Sequence, residues 1–184
     1  MSYIDSFYEG YAEFRQDSGS DFGYLDTSGN ITISGRWDSV FSFKCGYAEV
    51  IKGDSYGLIN TKGQLVLNTA YDYIRRAGED VYLFEKDDKW GAIHLTMNEK
   101  LPCEYNELDY LGDGFFNGEK VDSWGEKTWE IVNIATGQKF SHSSRQNISN
   151  VFNGKILIES NDQFILLDGW TGEQEAVSQP VRMN

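Results

Sequence analysis

Cysteine, proline and histidine are scarce: the 184 residues contain two of each. Cys45 and Cys103 are too few for the disulfide framework on which small secreted domains depend. No apolar run approaches the ~20 residues that a membrane-spanning helix requires. The first residues also lack the basic region and apolar stretch of a signal peptide. We therefore expect a cytoplasmic protein without a membrane span.

The motifs of common enzyme classes are also missing. His94 and His142 stand in no metal-ligand spacing with each other or with a cysteine. The sequence has no Gly-x-Ser-x-Gly turn, phosphate-binding loop or dinucleotide-binding glycine pattern. We therefore predict no catalytic residues, no metal and no cofactor. Two alternatives stay open: a Ser-His pair formed in space around His142, and a carbohydrate-active enzyme with two catalytic carboxylates.

Basic residues are in the minority. The 16 Lys and Arg against 29 Asp and Glu give a formal net charge of -13. Such a charge repels phosphate backbones and anionic headgroups, which argues against nucleic acid or a membrane surface as the direct ligand. It favours a basic protein or a cation as the partner. The alternative is that the acidity serves solubility alone.

Aromatic residues and glycine are abundant. The chain has 11 Tyr, 11 Phe, 5 Trp and 19 Gly. Aromatic side chains suit the half-buried surface of a pleated sheet, and glycine suits tight turns. The composition therefore favours β-strands.

Internal repetition is the main signal in the sequence. Two pairs recur every 34 residues: an aromatic-Gly pair (Phe22-Gly23, Tyr56-Gly57, Trp90-Gly91, Trp124-Gly125) and an aromatic-Asp or aromatic-Asn pair (Trp37-Asp38, Tyr71-Asp72, Tyr105-Asn106). Short apolar stretches alternate with turn residues inside each repeat, which predicts three antiparallel strands joined by hairpins. We expect the rings to pack between neighbouring repeats, the glycine to admit a close neighbour, and the carboxylate to close the connecting turn.

The pattern weakens towards the C-terminus. In the fourth repeat, Trp129 with Asn133 and Gly137 fits better than Trp124-Gly125, which implies a longer hairpin. Glu130 and Ile165 occupy the glycine position of the last two repeats. Loss of a motif towards one end is typical of a capping repeat.

These repeats predict a single all-β domain over residues 1–184. The repeats span residues 7–40, 41–74, 75–110, 111–148 and 149–177. Each repeat of about 34–39 residues forms part of an antiparallel meander, which either closes like a small propeller or stays an open, twisted array.

The repeated residues resemble those of WG-repeat proteins. The family pattern, aromatic-Gly-x-Ile-Asp-x-x-Gly, is similar to the residues from Phe22 to Gly29 and from Tyr56 to Gly63. The resemblance covers about residues 7–110 well and 111–175 weakly. His94 departs from it at the acidic or amide position. The resemblance implies a β-rich repeat array without a shared set of catalytic residues, found in interaction modules and near toxin systems.

Acidic residues mark the candidate binding surface. Equivalent loops of a repeat array lie on the same edge, so carboxylates in these loops are expected to form one row. Turn chemistry alone is the alternative reason for aspartate there. The candidates are the loop residues Asp17, Asp21, Asp54, Asp87, Asp88, Asp122 and Asp162, and, from a second cluster with Glu104 and Glu119, the residues Glu107, Asp109 and Asp113.

The sequence supports three functional hypotheses. The first is a non-catalytic immunity or inhibitor protein that masks a basic effector such as a nuclease toxin, because a negative face speeds association with a basic partner. The second is a general WG-repeat interaction module. The third and most distant is the carbohydrate-active enzyme.

Overall fold

The described part of the chain contains twenty short strands, and every four consecutive strands form one sheet. The computed structural model describes residues 3–19, 21–142, 147–160 and 163–177, which contain no helix. No helix able to cross a membrane therefore occurs among them. The prediction of an all-β, antiparallel meander of about five repeats is confirmed.

The strands of each sheet are neighbours in sequence order. The first two sheets contain β1 (Tyr3–Ile4), β2 (Tyr11–Arg15), β3 (Phe22–Asp26) and β4 (Ile31–Trp37), then β5 (Ser39–Val40), β6 (Tyr47–Lys52), β7 (Ser55–Asn60) and β8 (Leu65–Tyr71). The third contains β9 (Tyr73–Arg76), β10 (Val81–Lys86), β11 (Lys89–His94) and β12 (Glu99–Tyr105). The last two contain β13 (Glu107–Gly112), β14 (Phe115–Val121), β15 (Lys127–Asn133) and β16 (Lys139–His142), then β17 (Asn147–Ile148), β18 (Lys155–Ser160), β19 (Gln163–Asp168) and β20 (Gln174–Val177).

The prediction of three strands per repeat was wrong: each sheet has four. The additional strand is the first of each sheet, and in the second sheet it has only two residues, Ser39–Val40. It follows directly after the Trp37-Asp38 pair, which the sequence pattern assigns to the end of the preceding repeat. A strand of two residues is too short to show the alternation of apolar and polar residues by which strands are recognised in a sequence.

The chain divides into two compact bodies. The first body comprises residues 1–75 and 84–87, and the second comprises residues 76–83 and 88–184. In the first body, one core cluster joins the first two sheets and includes Tyr24, Trp37, Phe43 and Val50. The predicted packing of rings between neighbouring repeats is therefore seen in this body.

Two core clusters lie among the described residues of the second body. One joins the third and fourth sheets and includes Leu83, Tyr105, Phe116 and Val132. The other joins the fourth and fifth sheets through residues such as Phe115, Ile131, Ile156 and Leu167. Burial of such side chains contributes roughly 1.5–3 kcal/mol each, so the contacts between sheets stabilise sheets that could not persist alone.

The glycine of the aromatic-Gly pair lies where the register between the third and fourth strands of its sheet shifts. In the second sheet the shift falls between Tyr56 and Leu58. A Cβ atom on Gly57 would lie 2.8 Å from Thr69 Cγ2 and 3.0 Å from the Leu67 carbonyl oxygen. The absence of a side chain thus allows β8 to approach β7 at this bulge.

Candidate partner-binding surface

The acidic loops are the hairpins between the second and third strands of the sheets. We call them the acidic hairpins, and they connect β2 to β3, β6 to β7, β10 to β11 and β14 to β15. Asp17, Asp54, Asp87, Asp88 and Asp122 are exposed in these hairpins. Asp162, the candidate in the equivalent hairpin of the fifth sheet, lies outside the described residues. Each described hairpin therefore places at least one carboxylate in solvent.

The hairpin of the third sheet has a tight turn. Asp87 and Asp88 have φ angles of 52° and 59°, so both lie in the left-handed region. Two consecutive residues of this kind form a hairpin turn whose twist matches that of the flanking strands, and aspartate tolerates this conformation better than most residues. Turn chemistry therefore accounts for these two aspartates as well as a binding role does.

The acidic hairpins of the second, third and fourth sheets are each held by the residue that follows an aromatic ring of the second repeated pair. In the first body, Asp38 Oδ2 accepts a hydrogen bond from the Gly53 amide at 2.7 Å, and Asp72 Oδ2 accepts one from the Asp87 amide at 2.8 Å. In the second body, Asn106 Oδ1 accepts one from the Val121 amide at 2.9 Å. The sequence predicts that this side chain closes the connecting turn after its own repeat. The structure shows instead that it accepts a hydrogen bond from an amide 15 residues farther along, in the acidic hairpin of the next sheet.

Asp21 is paired with a lysine. The Lys52 ammonium lies 3.2 Å from Asp21 Oδ2 and 2.9 Å from Asp38 Oδ1. The hydrogen bond from Lys52, followed by the one from the Gly53 amide, lowers the pKa of Asp38. The hydrogen bonds from Lys52 to Asp38 and to Asp21 raise the pKa of Lys52. A partner would have to compete with Lys52 for Asp21, so Asp21 is the least accessible of the loop candidates.

The acidic hairpin of the fourth sheet displays a tryptophan. Trp124 is 89% exposed. Asp122 Oδ1 accepts hydrogen bonds from the amides of Trp124 at 2.8 Å and Glu126 at 2.9 Å, which orders the turn. Trp124-Gly125 therefore belongs to a loop. The aromatic position of this repeat is occupied by Trp129 on β15, in agreement with the longer hairpin that the sequence implies. The sequence pattern did not identify Trp124 as a surface residue. The longer hairpin predicted for the fourth repeat could have indicated it, because an extended hairpin places its tip in solvent.

The second acidic cluster separates into exposed and buried carboxylates. Glu107 and Asp109 are exposed on β13, and Asp113 is exposed in the turn that follows it. Glu119 is almost fully buried, and its Oε2 atom lies 2.9 Å from the Lys127 ammonium. Glu107 pairs with Glu119 across β13 and β14, at the end of the sheet that carries the Asp122 hairpin. Asp113 lies at the opposite end, where its Oδ2 atom is 3.4 Å from the Gly154 amide.

Glu104 belongs to a neutral ion-pair network in the second body. Lys120 and Lys139 each contact both Glu104 and Glu130, with N···O distances between 2.8 and 3.1 Å. The Tyr105 hydroxyl donates to Glu130 Oε1 at 2.8 Å. Burial alone would raise the pKa of Glu130, but hydrogen bonds from Lys139, Tyr105 and Lys120 lower it. Two carboxylates balance two ammonium groups here, so this network adds nothing to the acidic surface.

The histidines lie among packed strands. His94 is the last residue of β11 and is buried, and its Nδ1 atom has no hydrogen-bond partner among the residues that the structure describes. Burial lowers its pKa, and the charge of Asp80 only partly opposes that shift. His142 Nε2 lies 2.8 Å from Asn117 Oδ1. Within the described residues no group of three or more His, Cys, Asp or Glu side chains is arranged to hold a metal.

Comparison with known proteins identifies the repeat. Residues 22–55 and 56–90 match the family model described as "WG containing repeat", which confirms the resemblance inferred from the sequence. No curated protein sequence matches the chain. Among solved structures, Kluyveromyces lactis Hsv2 is similar over 98% of this chain and 71% of its own, with a TM-score of 0.40 and 8% identity. The tricorn protease is similar over 97% of this chain and 21% of its own, with a TM-score of 0.32 and 13% identity.

Proposed function

Because the chain carries WG repeats, we propose that it is a non-catalytic protein-binding module of the cytoplasm. Its partner is a basic protein, and the specific form of the proposal is an immunity or inhibitor protein that masks a basic effector such as a nuclease toxin. The acidic hairpins of each body, and Glu107 in the second body, carry the proposed contact residues.

The observation that carries the proposal is the exposure of carboxylates at equivalent turns. Asp54, Asp87, Asp88 and Asp122 lie at the tips of hairpins whose backbones are fixed by hydrogen bonds. A charged group on an ordered turn loses little conformational freedom when a partner binds, so more of the interaction energy appears as affinity.

The charge of the whole chain supports the same partner. A net charge of -13 attracts a basic protein from a distance and accelerates its encounter. Complementary charge raises the association rate more than it raises the final affinity. An inhibitor that must capture a toxic enzyme before it acts benefits from such a rate.

A second candidate is a general interaction module whose binding depends on apolar contacts. Trp124 favours it, because tryptophan is frequent among the residues that dominate the binding energy of protein interfaces. In this case affinity would depend on the ring and would change little with salt.

The test is binding of a purified basic candidate, chosen as the product of a gene adjacent to the one that encodes this chain. Charge reversal at Asp54 and Asp88 would be compared with charge reversal at Glu99, which is exposed on β12 outside the acidic hairpins. We expect D54K and D88K to lower the association rate several-fold and E99K to change it much less. If the partner is a nuclease, the wild-type chain should also inhibit its cleavage of nucleic acid.

The dependence on salt separates the two candidates. Between roughly 50 and 500 mM NaCl, binding to the acidic hairpins should weaken strongly, because the screening length falls from more than 10 Å to a few ångströms. Binding that withstands this change, survives D54K and D88K and is lost in W124A would overturn the acidic-surface proposal in favour of the general module.

A further inference from the structure

The first body contains a basic cleft, although the chain as a whole is strongly acidic. The cleft has a volume of about 180 Å³ and lies between β4 of the first sheet and the turn that joins β7 to β8. Among the described residues that line it, Arg36 and Lys62 are cationic and none is a carboxylate. The other lining residues are Thr32, Ile33, Ser34 and Gly63. This cleft therefore has the charge that suits an anion, opposite to the charge of the acidic hairpins.

Arg36 is held in place by two contacts. Its Nη2 group donates a hydrogen bond to the Gly63 carbonyl oxygen, and its guanidinium carbon lies 4.7 Å from the centroid of the Trp37 ring. A cation over an aromatic face is stabilised by the electron density of the ring. Because a guanidinium carries several N–H donors in one plane, the bond to Gly63 leaves others for a ligand. Arg36 therefore offers donors in a fixed orientation.

The turn that carries Lys62 is ordered without a carboxylate. Asn60 Oδ1 accepts hydrogen bonds from the amides of Lys62 at 3.0 Å and Gln64 at 3.1 Å. In the first sheet, the equivalent contacts are made by the Asp26 carboxylate. The exposed Lys62 side chain forms no ion pair with any residue that the structure describes. The turn thus presents a positive charge that no neighbouring carboxylate neutralises.

The two walls of the cleft meet in a close contact. A Cβ atom on Gly63 would lie 3.1 Å from Cγ2 of Ile33, which is 5% exposed, so the turn packs directly on the first sheet. The hydroxyl of Thr32 donates to the Tyr24 carbonyl oxygen at 3.2 Å and is therefore occupied. Ser34 is exposed on the same strand, and its hydroxyl supplies a further donor at the cleft. The width of the cleft is therefore fixed by packing.

The fold of a repeat does not require a cation at the position of Arg36. This position precedes the ring that ends the fourth strand of a sheet, and it is occupied by Ala70 in the second sheet and by Glu104 in the third. Glu104 belongs to the neutral network with Lys120 and Lys139. The pair of cations is therefore a property of this cleft and is not shared by the repeats.

We propose that the cleft binds the phosphate group of a small molecule. A phosphate monoester carries a charge of about -1.5 to -2 at neutral pH, which matches the two cations, whereas a carboxylate would leave one of them unbalanced. The planar donors of arginine fit phosphate oxygens, and lysine binds phosphate as a point charge. Drug-sized ligands occupy pockets of roughly 300–1,000 Å³, so this smaller cleft suits a phosphate with a small substituent.

The cleft is independent of the surface assigned to the basic partner. Asp54 precedes β7 and Lys62 follows it, so the six residues of this strand separate them. At ~3.3 Å per residue the separation is roughly 20 Å, about twice the screening length at physiological ionic strength. D54K should therefore leave phosphate binding nearly unchanged, and K62A should leave binding of a basic partner unchanged. Failure of one proposal leaves the other intact.

Titration of the full chain with inorganic phosphate, followed by amide chemical shifts, tests the proposal. Sodium chloride is adjusted so that the ionic strength stays constant. The amide signals of Ser34, Lys62 and Gly63 should shift to saturation at millimolar phosphate. We expect K62A and R36A each to weaken binding several-fold, whereas K86A, which removes an exposed lysine beside the acidic hairpin of the third sheet, should bind as wild type.

K62A is the decisive variant, because R36A also removes the contact of Arg36 with Gly63. Shifts that do not saturate, an unchanged affinity in K62A or an equal loss in K86A would overturn the site. Acetate should bind several-fold more weakly than phosphate, and equal binding would overturn the choice of phosphate.

Glycerol 3-phosphate distinguishes the two sources of the phosphate group. Binding tighter than that of inorganic phosphate would assign the cleft to a phosphate monoester, because the substituent then adds contacts. Equal binding would assign it to free phosphate. Both results support the proposal, whereas much weaker binding of the ester than of inorganic phosphate and acetate would overturn it.

Discussion

Gly57 lies at the bulge between β7 and β8, where a methyl group would overlap Thr69 and the Leu67 carbonyl. We predict that Gly57→Ala lowers the free energy of unfolding by about 1–3 kcal/mol, because the strands must separate or shift to admit the methyl group. Urea denaturation measures the change.

Gly19→Ala is the matched control for this prediction. A Cβ atom on Gly19 would meet only the Asp17 carboxylate, at 3.7 Å, and the residue lies in an exposed loop. The control should change stability by less than about 0.5 kcal/mol. Equal effects of the two substitutions would refute the close approach of the strands as the cause.

Glu13 is a buried carboxyl group near the contact between the first two sheets. Its side chain accepts a hydrogen bond of 2.9 Å from the Ser42 hydroxyl. Burial raises the pKa of Glu13 above its ordinary value of 4.5, and the hydrogen bond from Ser42 only partly offsets this shift. The folded state therefore holds the proton more tightly than the unfolded state does.

The sign of the resulting pH dependence follows from linkage. The stability contributed by protonated Glu13 is complete below the unfolded pKa and is lost as the pH rises through the higher folded pKa. A glutamine side chain cannot ionise, so Glu13→Gln should gain stability relative to wild type as the pH rises from about 4 to about 7. Urea midpoints measured across this range test the prediction, and a difference that does not change with pH would contradict it.

At the scale of the element, the linkers between sheets also fix the acidic hairpins. Asp72 follows the ring of Tyr71 and accepts a hydrogen bond from the Asp87 amide. We predict that Asp72→Ala costs about 0.5–1.5 kcal/mol of stability, the usual net contribution of one hydrogen bond. Asp38→Ala should cost more, because Asp38 also binds Lys52.

Asp54→Ala is the control for the linker variants, because Asp54 is exposed at a hairpin tip. The melting temperature of Asp54→Ala should stay close to that of the wild type. Hydrogen exchange at the Asp87 amide gives a second measurement, since Asp72→Ala should accelerate exchange there and Asp54→Ala should not. Unchanged protection in Asp72→Ala would argue against the turn-closing contact.

The elements were largely predictable from the sequence, apart from the short first strands. The constant spacing of the first three aromatic-Gly pairs located the longer strands of the first three sheets, because each of these pairs stands at the same place in its sheet. The first strand of the second sheet, Ser39–Val40, was missed because two residues show no period. It pairs with the nearby strand β6, Ser39 with Ile51 and Val40 with Val50.

At the scale of the whole molecule, the unbalanced charge should affect stability as well as binding. Like charges repel within a folded chain, so a net charge of -13 destabilises the compact state. We predict that raising NaCl from roughly 20 to 300 mM increases the melting temperature by several degrees. A fall in the melting temperature would mean that ion pairs such as those of Lys120 and Lys139 outweigh the repulsion.

The candidate surface was only partly predictable from the sequence. The loops that carry Asp54, Asp87 and Asp122 followed from the repeat, because equivalent positions share a place in the sheet. The pairing of Asp21 with Lys52 and of Glu104 with Lys139 did not follow, because each lysine comes from a strand of another sheet. Which carboxylates are neutralised depends on such contacts between sheets.

In the fourth sheet, the relation in size between two facing residues is the reverse of that in the first two sheets. Phe14 faces Gly23 and Val50 faces Gly57, so a large residue on the second strand meets glycine on the third.

In the fourth sheet Gly118 faces Glu130, and the Tyr105 ring occupies the space where a Cβ atom of Gly118 would be. The glycine thus lies on the second strand of this sheet and not on the third, which leaves room for the Tyr105 ring. The Tyr105 hydroxyl donates a hydrogen bond to Glu130 there, so this contact is polar where the corresponding contact in the first two sheets is apolar. A repeat of this protein is therefore defined by the combined size of the two residues that face each other on its second and third strands. A search for one residue type at one position will count too few repeats.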